Sequence, residues 1–593
     1  VINRLKTPEL FLPTCRAEMA ARGWDELDIL FISGDAYVDH PAFGVPLLAR
    51  LLESAGYRGG IIAQPDWRNK EAFNGMGRPR LFAAVAAGAM DSMVNHYTAA
   101  KKRRNDDAYT PGNRAGARPN RAVIAYVAAI KGVFRGLPVI IGGIEASLRR
   151  LAHYDYWDDA VRRSILVDSK ADLLLYGMAE FALLEVARRV ASGELPAQIH
   201  DLRGTAYLTS NPPDNVIHLP SFDQVAVDKK AFGEAFRFAE AEQNPLSGRA
   251  LAQSHGNRCV VVNPPALPLT AAELDKLYAL PFLRRPHSSY CEKIPAYEQI
   301  RFSITTHRGC FGGCAFCAIG MHQGKTIQSR SQASVLAEVD TLATALEFRG
   351  TISDLGGPSA NMYGLSCSDA GAERQCRRPS CLWPQPCPRL NCSDQAATTL
   401  LAQAQQRPKV KHLFVASGVR FDLLPQQPAY FQRLIKHHVS GLLKVAPESF
   451  APATLQMMRK AQPDLFSWFL KEFHQLNMGC SKRQGVVPYL MAAHPGTTLT
   501  QMIDVALFLV RNKLKVEQVQ EFTPTPGTLS TCLYYTGRDP YTGNAIYVPR
   551  SREERQMQKA LLLWHLPESV PLIRQALRLC QRQKDGDELL ARR

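Results

Sequence analysis

The chain has 593 residues, 46% hydrophobic and 21% charged, and a formal net charge of +17. That is enough apolar material for at least two ordinary cores. No uninterrupted apolar stretch of about 18 residues and no charged, apolar, small-residue leader is found, so a cytoplasmic protein without a membrane span or secretory signal is expected, with cysteines kept as free thiols.

In chain order, LDILFIS (27–33) predicts a strand, PAFGVPLLARLLESAGY (41–57) a helix and RGGIIAQ (58–64) the next strand. RLFAAVA (80–86), the helical NRAVIAYVAAIKGVFRG (120–136), LPVIIGG (137–143), DLLLYG (172–177) and the helical MAEFALLEVARRVASG (178–193) continue the alternation. Repeated βα units over residues 1–210 predict a doubly wound, mostly parallel sheet with functional residues at its strand ends. Asp35, His40, Gly142 and Gly143 fall at such ends, which makes the domain similar to the cobalamin-binding fold. His40, however, follows Asp35 by five positions, outside the Asp-x-His-x-x-Gly arrangement, and this argues against bound cobalamin. His40 then reads as a pocket residue or a satisfied structural histidine.

The positive charge gathers in KKRR (101–104), in a loop reaching Arg121, and at Arg149, Arg150, Arg162 and Arg163. Tyr109, Tyr126, Tyr154, Tyr156 and Trp157 interleave with it, so RNA is a candidate partner through charge and base stacking. A solvated basic face with packed aromatics accounts for the same residues.

Residues 211–295 read as a connector with helix in KKAFGEAFRFAEAEQ (229–243). At AYEQIRFSITTHRG (296–309) the pattern resets, and RFSIT supplies the first strand of a second domain. Its following loop, GCFGGCAFCAIG (309–320), carries Cys310, Cys314 and Cys317. A 4Fe-4S cube needs a ligand at every iron, and three thiolates leave one iron open. S-adenosylmethionine can fill that position through its amino and carboxylate groups. Zinc usually takes four ligands in two separated pairs, a pattern this loop lacks. Phe316 can shield the cluster or stack on adenine.

SRSQASVLAEVDTLATALEF (329–348) is the first crossover helix, and TISDLGG (351–357), KHLFVASG (411–418), LLKVAP (442–447), VVPYLMAA (486–493) and KVEQVQEFT (515–523) are further strands. Six βα units predict a partial (β/α)6 barrel over 296–550, its chemistry at the C-terminal strand ends, followed by a helical tail over 551–593. Ser417 and Arg420 are candidates for ribose or carboxylate, Lys444 and Glu448 for cofactor or substrate, and His494 for an acid or base. A proline- and arginine-rich insertion at 358–395 adds Cys367, Cys376, Cys381, Cys387 and Cys392. In a reducing compartment that density points to a second metal, an iron-sulfur cluster or zinc, for which the first four cysteines suffice.

The cysteine loop resembles the radical SAM superfamily. SGDAYVDHPAFG (33–44), HYTAAKKRRNDDAYTPG (96–112), IIGGIEASLRRLAHYDYW (140–157), DLGGPSANMYG (354–364), KVAPE (444–448) and TPTPGT (523–528) resemble its YgiQ-type branch over most of the chain. The resemblance implies a cobalamin-fold-like domain followed by a radical SAM barrel, and 4Fe-4S and S-adenosylmethionine as cofactors. It also implies that Gly356 and Gly357 offer a backbone edge to the methionyl amino group, although a proline follows them where Gly-Gly-Glu is commoner. An enzyme forming a 5′-deoxyadenosyl radical is expected, supplied with electrons by a flavodoxin- or ferredoxin-like donor. No catalytic residue is assigned. Modification of RNA and a non-catalytic metal scaffold are the alternatives.

Overall fold

Five apolar runs, Ile29–Ser33 (β1), Gly59–Ala63 (β2), Phe82–Ala86 (β3), Val139–Gly142 (β4) and Leu173–Leu175 (β5), form parallel strands in the order β2-β1-β3-β4-β5. They are apolar throughout because both faces of the sheet are covered. Ile29, Phe31, Phe82 and Ile140 share a core with Gly44–Ser54 (α1) and Glu180–Ala191 (α3), whereas the alternate positions turn to the other face, where Ala122–Val133 (α2) packs on β3 and β4. The strand order reverses between β1 and β3, the switch point at which doubly wound sheets bind ligands.

The structure, a computed structural model, describes residues 10–480 and 483–591, which divide into two units. Residues 1–9 and 592–593, the outer ends of the expected first domain and tail, and residues 481–482 lie outside the described residues. The first unit takes in the chain up to Val227 and Glu242–Arg301, and the second takes in Asp228–Ala241 and Phe302 onward.

This division corrects the expected connector at 211–295. Thr205–Thr209 (β6), Ile217–His218 (β7), Leu251–His255 (β8) and Arg258–Val262 (β9) extend the sheet beyond β5 in the order β6-β9-β8-β7, with β6 antiparallel to both β5 and β9. Their alternation is hidden because β8 buries polar side chains. Gln253, 1% exposed, accepts from Ala152 N at 2.8 Å and donates to Pro220 O at 3.0 Å. Buried amides are tolerated when so satisfied. The helix expected at 229–243 forms at Lys229–Ala241 (α4) and belongs to the second unit, where it packs on helix Leu529–Thr536 and Glu240 pairs with Arg459 at 2.7 Å.

In the second unit, Ser303–Thr305 (β10), Asp354–Gly356 (β11), His412–Leu413 (β12), Leu442–Glu448 (β13), Gly485–Ala492 (β14) and Val519–Glu521 (β15) are the six strands of a partial barrel. β10 pairs with β11, the short Thr351–Ile352 with β12, and β13 with β14 and then β15, all parallel. A single bridge, Val419 to Val445, joins the two sets. β12 is shorter than the expected 411–418, and beyond it the Asp354 carboxylate accepts Ala416 N at 2.7 Å and Ser417 N at 3.0 Å. Helices Gln332–Thr344, Gln395–Gln405, Pro463–Met478 and Leu499–Arg511 share one core with the strands. The helical tail contributes Leu561, Trp564, Ile573 and Leu589 to that same core. Among the described residues no helix is long and apolar enough to cross a membrane.

Phe469 is fully buried in this core and stacks on Phe431 at 5.7 Å between ring centroids. Phe469→Ala should lower the stability of the second unit by about 3–5 kcal/mol in denaturant melts. Phe181→Ala, at a site 47% exposed, should cost less than about 0.5 kcal/mol.

Candidate metal centre

Cys310, Cys314 and Cys317 sit on the loop that leaves β10, at the C-terminal ends of the barrel strands. Two backbone hydrogen bonds clamp the loop's midpoint: Ala315 N donates to Met458 O at 3.0 Å, and Ser530 N donates to Ala315 O at 2.9 Å. Cys310 N donates to Gly324 O at 3.1 Å at the loop's start. Gly309 has φ +86°, and a Cβ there would lie 2.1 Å from Thr326 O, so no other residue fits the entry to the loop.

Burial pushes the Cys317 thiol up to about 12, with Cys314 adding to the effect. Burial also raises Cys310, against the opposing charge of Arg420. Such thiols stay neutral unless a metal displaces their protons, as coordination does. The cation is in place: Arg420 Nη1 lies 3.2 Å from Cys314 Sγ, while its Nε and Nη2 hold Asp422 at 2.9 and 2.5 Å. Three soft donors beside a fixed guanidinium fit an iron-sulfur group. Among the described residues no three His, Cys, Asp or Glu side chains gather around one ion-sized point, and a cube instead takes each thiolate on a different iron.

Around the loop stand the other predicted residues. A Cβ on Gly356 would lie 2.2 Å from Ser417 Oγ, and one on Gly357 would lie 2.6 Å from the His307 ring, so both glycines are dictated by close packing. The Gly356 carbonyl accepts Thr306 N at 2.7 Å. Ser417 is exposed beyond the end of β12, and Lys444 is exposed at the third position of β13. Phe316 is half-buried, its ring edge-on to His494 at 6.2 Å.

Glu448 is the residue whose state the sequence does not announce. Val445 pairs with Pro488 but Glu448 pairs with Leu490, so one extra residue is accommodated in β13 where Pro447 and Pro488 each remove a ladder N–H. The bulge leaves Glu448 at φ +68°, 7% exposed, with Oε2 unpartnered. Burial raises its carboxyl pKa, against the charges of Lys460 and Arg420. Strain and an unpaired buried acceptor at a strand end are features of a ligand site. Lys460, 5% exposed, was not predicted; it follows Arg459, whose φ of +55° turns the chain back toward the site.

His494 corrects its expected role. Its Nδ1 lies 2.7 Å from the Pro495 carbonyl, which can only accept, so Nε2 is the acceptor for Ser530 Oγ at 2.6 Å. A fully buried ring with both nitrogens used is a strut and has no nitrogen left for acid or base work.

The comparisons now bear on this geometry. The Radical SAM N-terminal family matches residues 11–303, and a Domain of unknown function (DUF3362) matches 517–585. The UPF0313 protein GSU2873 of Geobacter sulfurreducens is 57% identical over 98% of this chain and 96% of that relative. A UPF0313 protein of Methanocella arvoryzae is 50% identical over 94% of each, and the UPF0313 protein YgiQ of Escherichia coli K12 is 43% identical over 96% of this chain and 86% of its own.

The chain belongs to the UPF0313 family.

It is thus a YgiQ-type radical SAM protein. Among solved structures, this UPF0313 chain resembles TsrM of Kitasatospora setae with cobalamin and a [4Fe-4S] cluster bound, at 14% identity and a TM-score of 0.48 over 85% of this chain and 73% of that one. It also resembles OxsB with aqua-cobalamin bound, at 8% identity and a TM-score of 0.48 over 92% and 67%. The likeness is one of fold. Both of those structures hold cobalamin, a finding that runs against the expectation that this cofactor is absent and corrects it. His40 is 2% exposed, its Nδ1 accepts Ala42 N at 3.1 Å, and Arg284 Nη1 lies 3.3 Å from Nε2.

Of the aromatic residues in the basic stretch of this UPF0313 chain, Tyr109 and Trp157 are half-buried. Tyr126, Tyr154 and Tyr156 are buried, Arg149 pairs with Asp91, Arg121 with Asp155, and Arg162 and Arg163 with Asp168. The exposed cations of the stretch include those of KKRR, Arg114 and Arg163.

Burial holds the His494 ring neutral, with a pKa pushed down to about 4. Unfolded, the ring takes up a proton near 6.5, so its contribution to stability is full above that pH and is lost as pH falls toward 4, by on the order of 3 kcal/mol. His494→Gln should flatten this part of the acid limb in melts from pH 7 to pH 4. A variant with the wild-type slope would show that the ring is not held neutral.

Proposed function

We propose that this chain is a radical SAM enzyme that holds a 4Fe-4S cluster through Cys310, Cys314 and Cys317 and binds S-adenosylmethionine at the iron those thiolates leave open. The observation that carries the reading is the clamped loop of three half-buried cysteines at the barrel's strand ends, beside the unpartnered carboxylate oxygen of Glu448. A cluster held by Cys310, Cys314 and Cys317 would supply the electron for reductive cleavage of S-adenosylmethionine and so for hydrogen abstraction from a substrate.

The chain's residues divide the remaining work. Arg420 neutralises charge at Cys314 and is itself fixed by Asp422. Gly356, Gly357, Ser417 and Lys444 line the accessible strand ends and offer backbone and side-chain groups to the methionyl and ribosyl parts of the cofactor. Glu448 offers an acceptor to a hydroxyl or ammonium donor. Phe316, held edge-on by His494, covers one side of the loop. Reducing equivalents come from a flavodoxin- or ferredoxin-like protein.

Anaerobically reconstituted wild-type protein, given a reductant and S-adenosylmethionine, should form 5′-deoxyadenosine. Cys314→Ala should lower that yield to background and reduce iron by about four per chain, since two thiolates do not hold the cube. Undiminished 5′-deoxyadenosine in Cys314→Ala, or a colourless zinc-loaded wild type, would refute the proposal.

A further inference from the structure

Beyond the barrel loop, four cysteines share one space in the insertion that follows β11. Cys367, Cys376, Cys381 and Cys387 all line one cavity of about 620 Å³. The backbone sets them there. Ser366–Cys367 pairs antiparallel with Leu390–Asn391, setting Cys367 opposite Leu390. Leu390 N donates to Cys387 O at 3.0 Å, and Cys387 N donates to Cys381 O at 2.7 Å, so three of the cysteines are chained by successive main-chain contacts. The fourth is drawn in by a cation: Lys325 Nζ lies 3.3 Å from Cys376 Sγ and 2.8 Å from Arg378 O. Cys392 does not line the cavity and packs instead in the apolar cluster beside it.

We propose that Cys367, Cys376, Cys381 and Cys387 hold a second 4Fe-4S cluster, ligated at every iron by protein. Zinc in a four-cysteine site sits about 2.3 Å from each sulfur and needs no room beyond the point where the sulfurs meet. Here the four cysteines line a cavity of about 620 Å³, a space suited to a group with its own bulk. Its walls suit one as well. Phe311, Ile327, Leu365 and Leu390 give it an apolar side, and Lys325 sets a positive charge against the thiolates. Hydrogen bonding to sulfur is one of the features that tune such clusters.

The site is joined to the first loop without sharing a ligand with it. Cys381 N donates to Phe311 O at 3.0 Å, one residue from Cys310, and Ser380 Oγ donates to Gly312 O at 2.8 Å. This inference stands apart from S-adenosylmethionine chemistry, because a fully ligated cluster needs no open iron.

Iron and acid-labile sulfide counts test it on the full chain, purified and reconstituted anaerobically. Wild type should carry about eight irons and eight sulfides, and the triple variant Cys310→Ala, Cys314→Ala, Cys317→Ala about four of each. In that background Cys376→Ser with Cys381→Ser should remove the remaining iron, and Cys392→Ser should not. The triple variant's reduced electron paramagnetic resonance signal should be indifferent to added S-adenosylmethionine. A wild-type count of about four irons, with or without one zinc, overturns the proposal even if the triple variant fails to fold. So does iron in the triple variant that survives loss of Cys376 and Cys381.

Discussion

A guanidinium shared between a carboxylate and a thiol organises the mouth of the barrel. Arg420 is 8% exposed, and breaking one partner of a buried charge pair leaves the other uncompensated, at a cost of about 3–5 kcal/mol. Its backbone is fixed as firmly as its side chain. Asn361 accepts Arg420 N at 2.8 Å and donates to Arg420 O at 3.0 Å, and Gln427 in turn accepts from Asn361 at 2.8 Å. The loops after β11 and β12 are thereby locked to each other, and through Cys314 to the loop after β10. Three strand ends that the barrel only brings near one another are held in one arrangement by this residue.

Much of the architecture was legible because it follows from patterns that packing enforces. β1 to β5 are short apolar runs separated by helices of 3.6 periodicity, and only a parallel sheet covered on both faces gives that pattern. What failed to show was burial achieved by polar side chains. β8 reads as polar because Gln253 and His255 point inward, so the edge of the sheet passed for a connector. The excursion of Asp228–Ala241 into the second unit was missed because the chain leaves the first unit and returns to it within 14 residues, and no composition shift marks it.

The site divides along the same line. Cysteines announce themselves by spacing, and glycines such as Gly356 and Gly357 by position, because the chemistry of the residue type is itself the signal. The state of Glu448 depends on two prolines on adjacent strands, Pro447 and Pro488, whose effects combine only once β13 and β14 are in register. His494 shows the opposite error. A histidine at a strand end reads as acid or base, but its role is decided by Pro495 and Ser530, and Ser530 is 36 residues away in the chain.

These contacts also decide what kind of group the loop can accept. Arg420 and Lys460 bring two buried cations to the thiols. Of the two carboxylates facing them, Asp422 is buried, but Arg420 outweighs that burial and keeps its pKa below the ordinary carboxylate value, so it stays ionised. Glu448 moves the other way, because burial raises its pKa and the nearby cations only partly oppose it. Burial thus weakens one of the two negative charges that face the cations, at a place shielded from water, where electrostatic interactions are strong. Thiolates add negative charge there, and thiols raised by burial become thiolates by giving their protons up to a metal. The arrangement thus favours an occupant that is metallic and, together with its ligands, anionic.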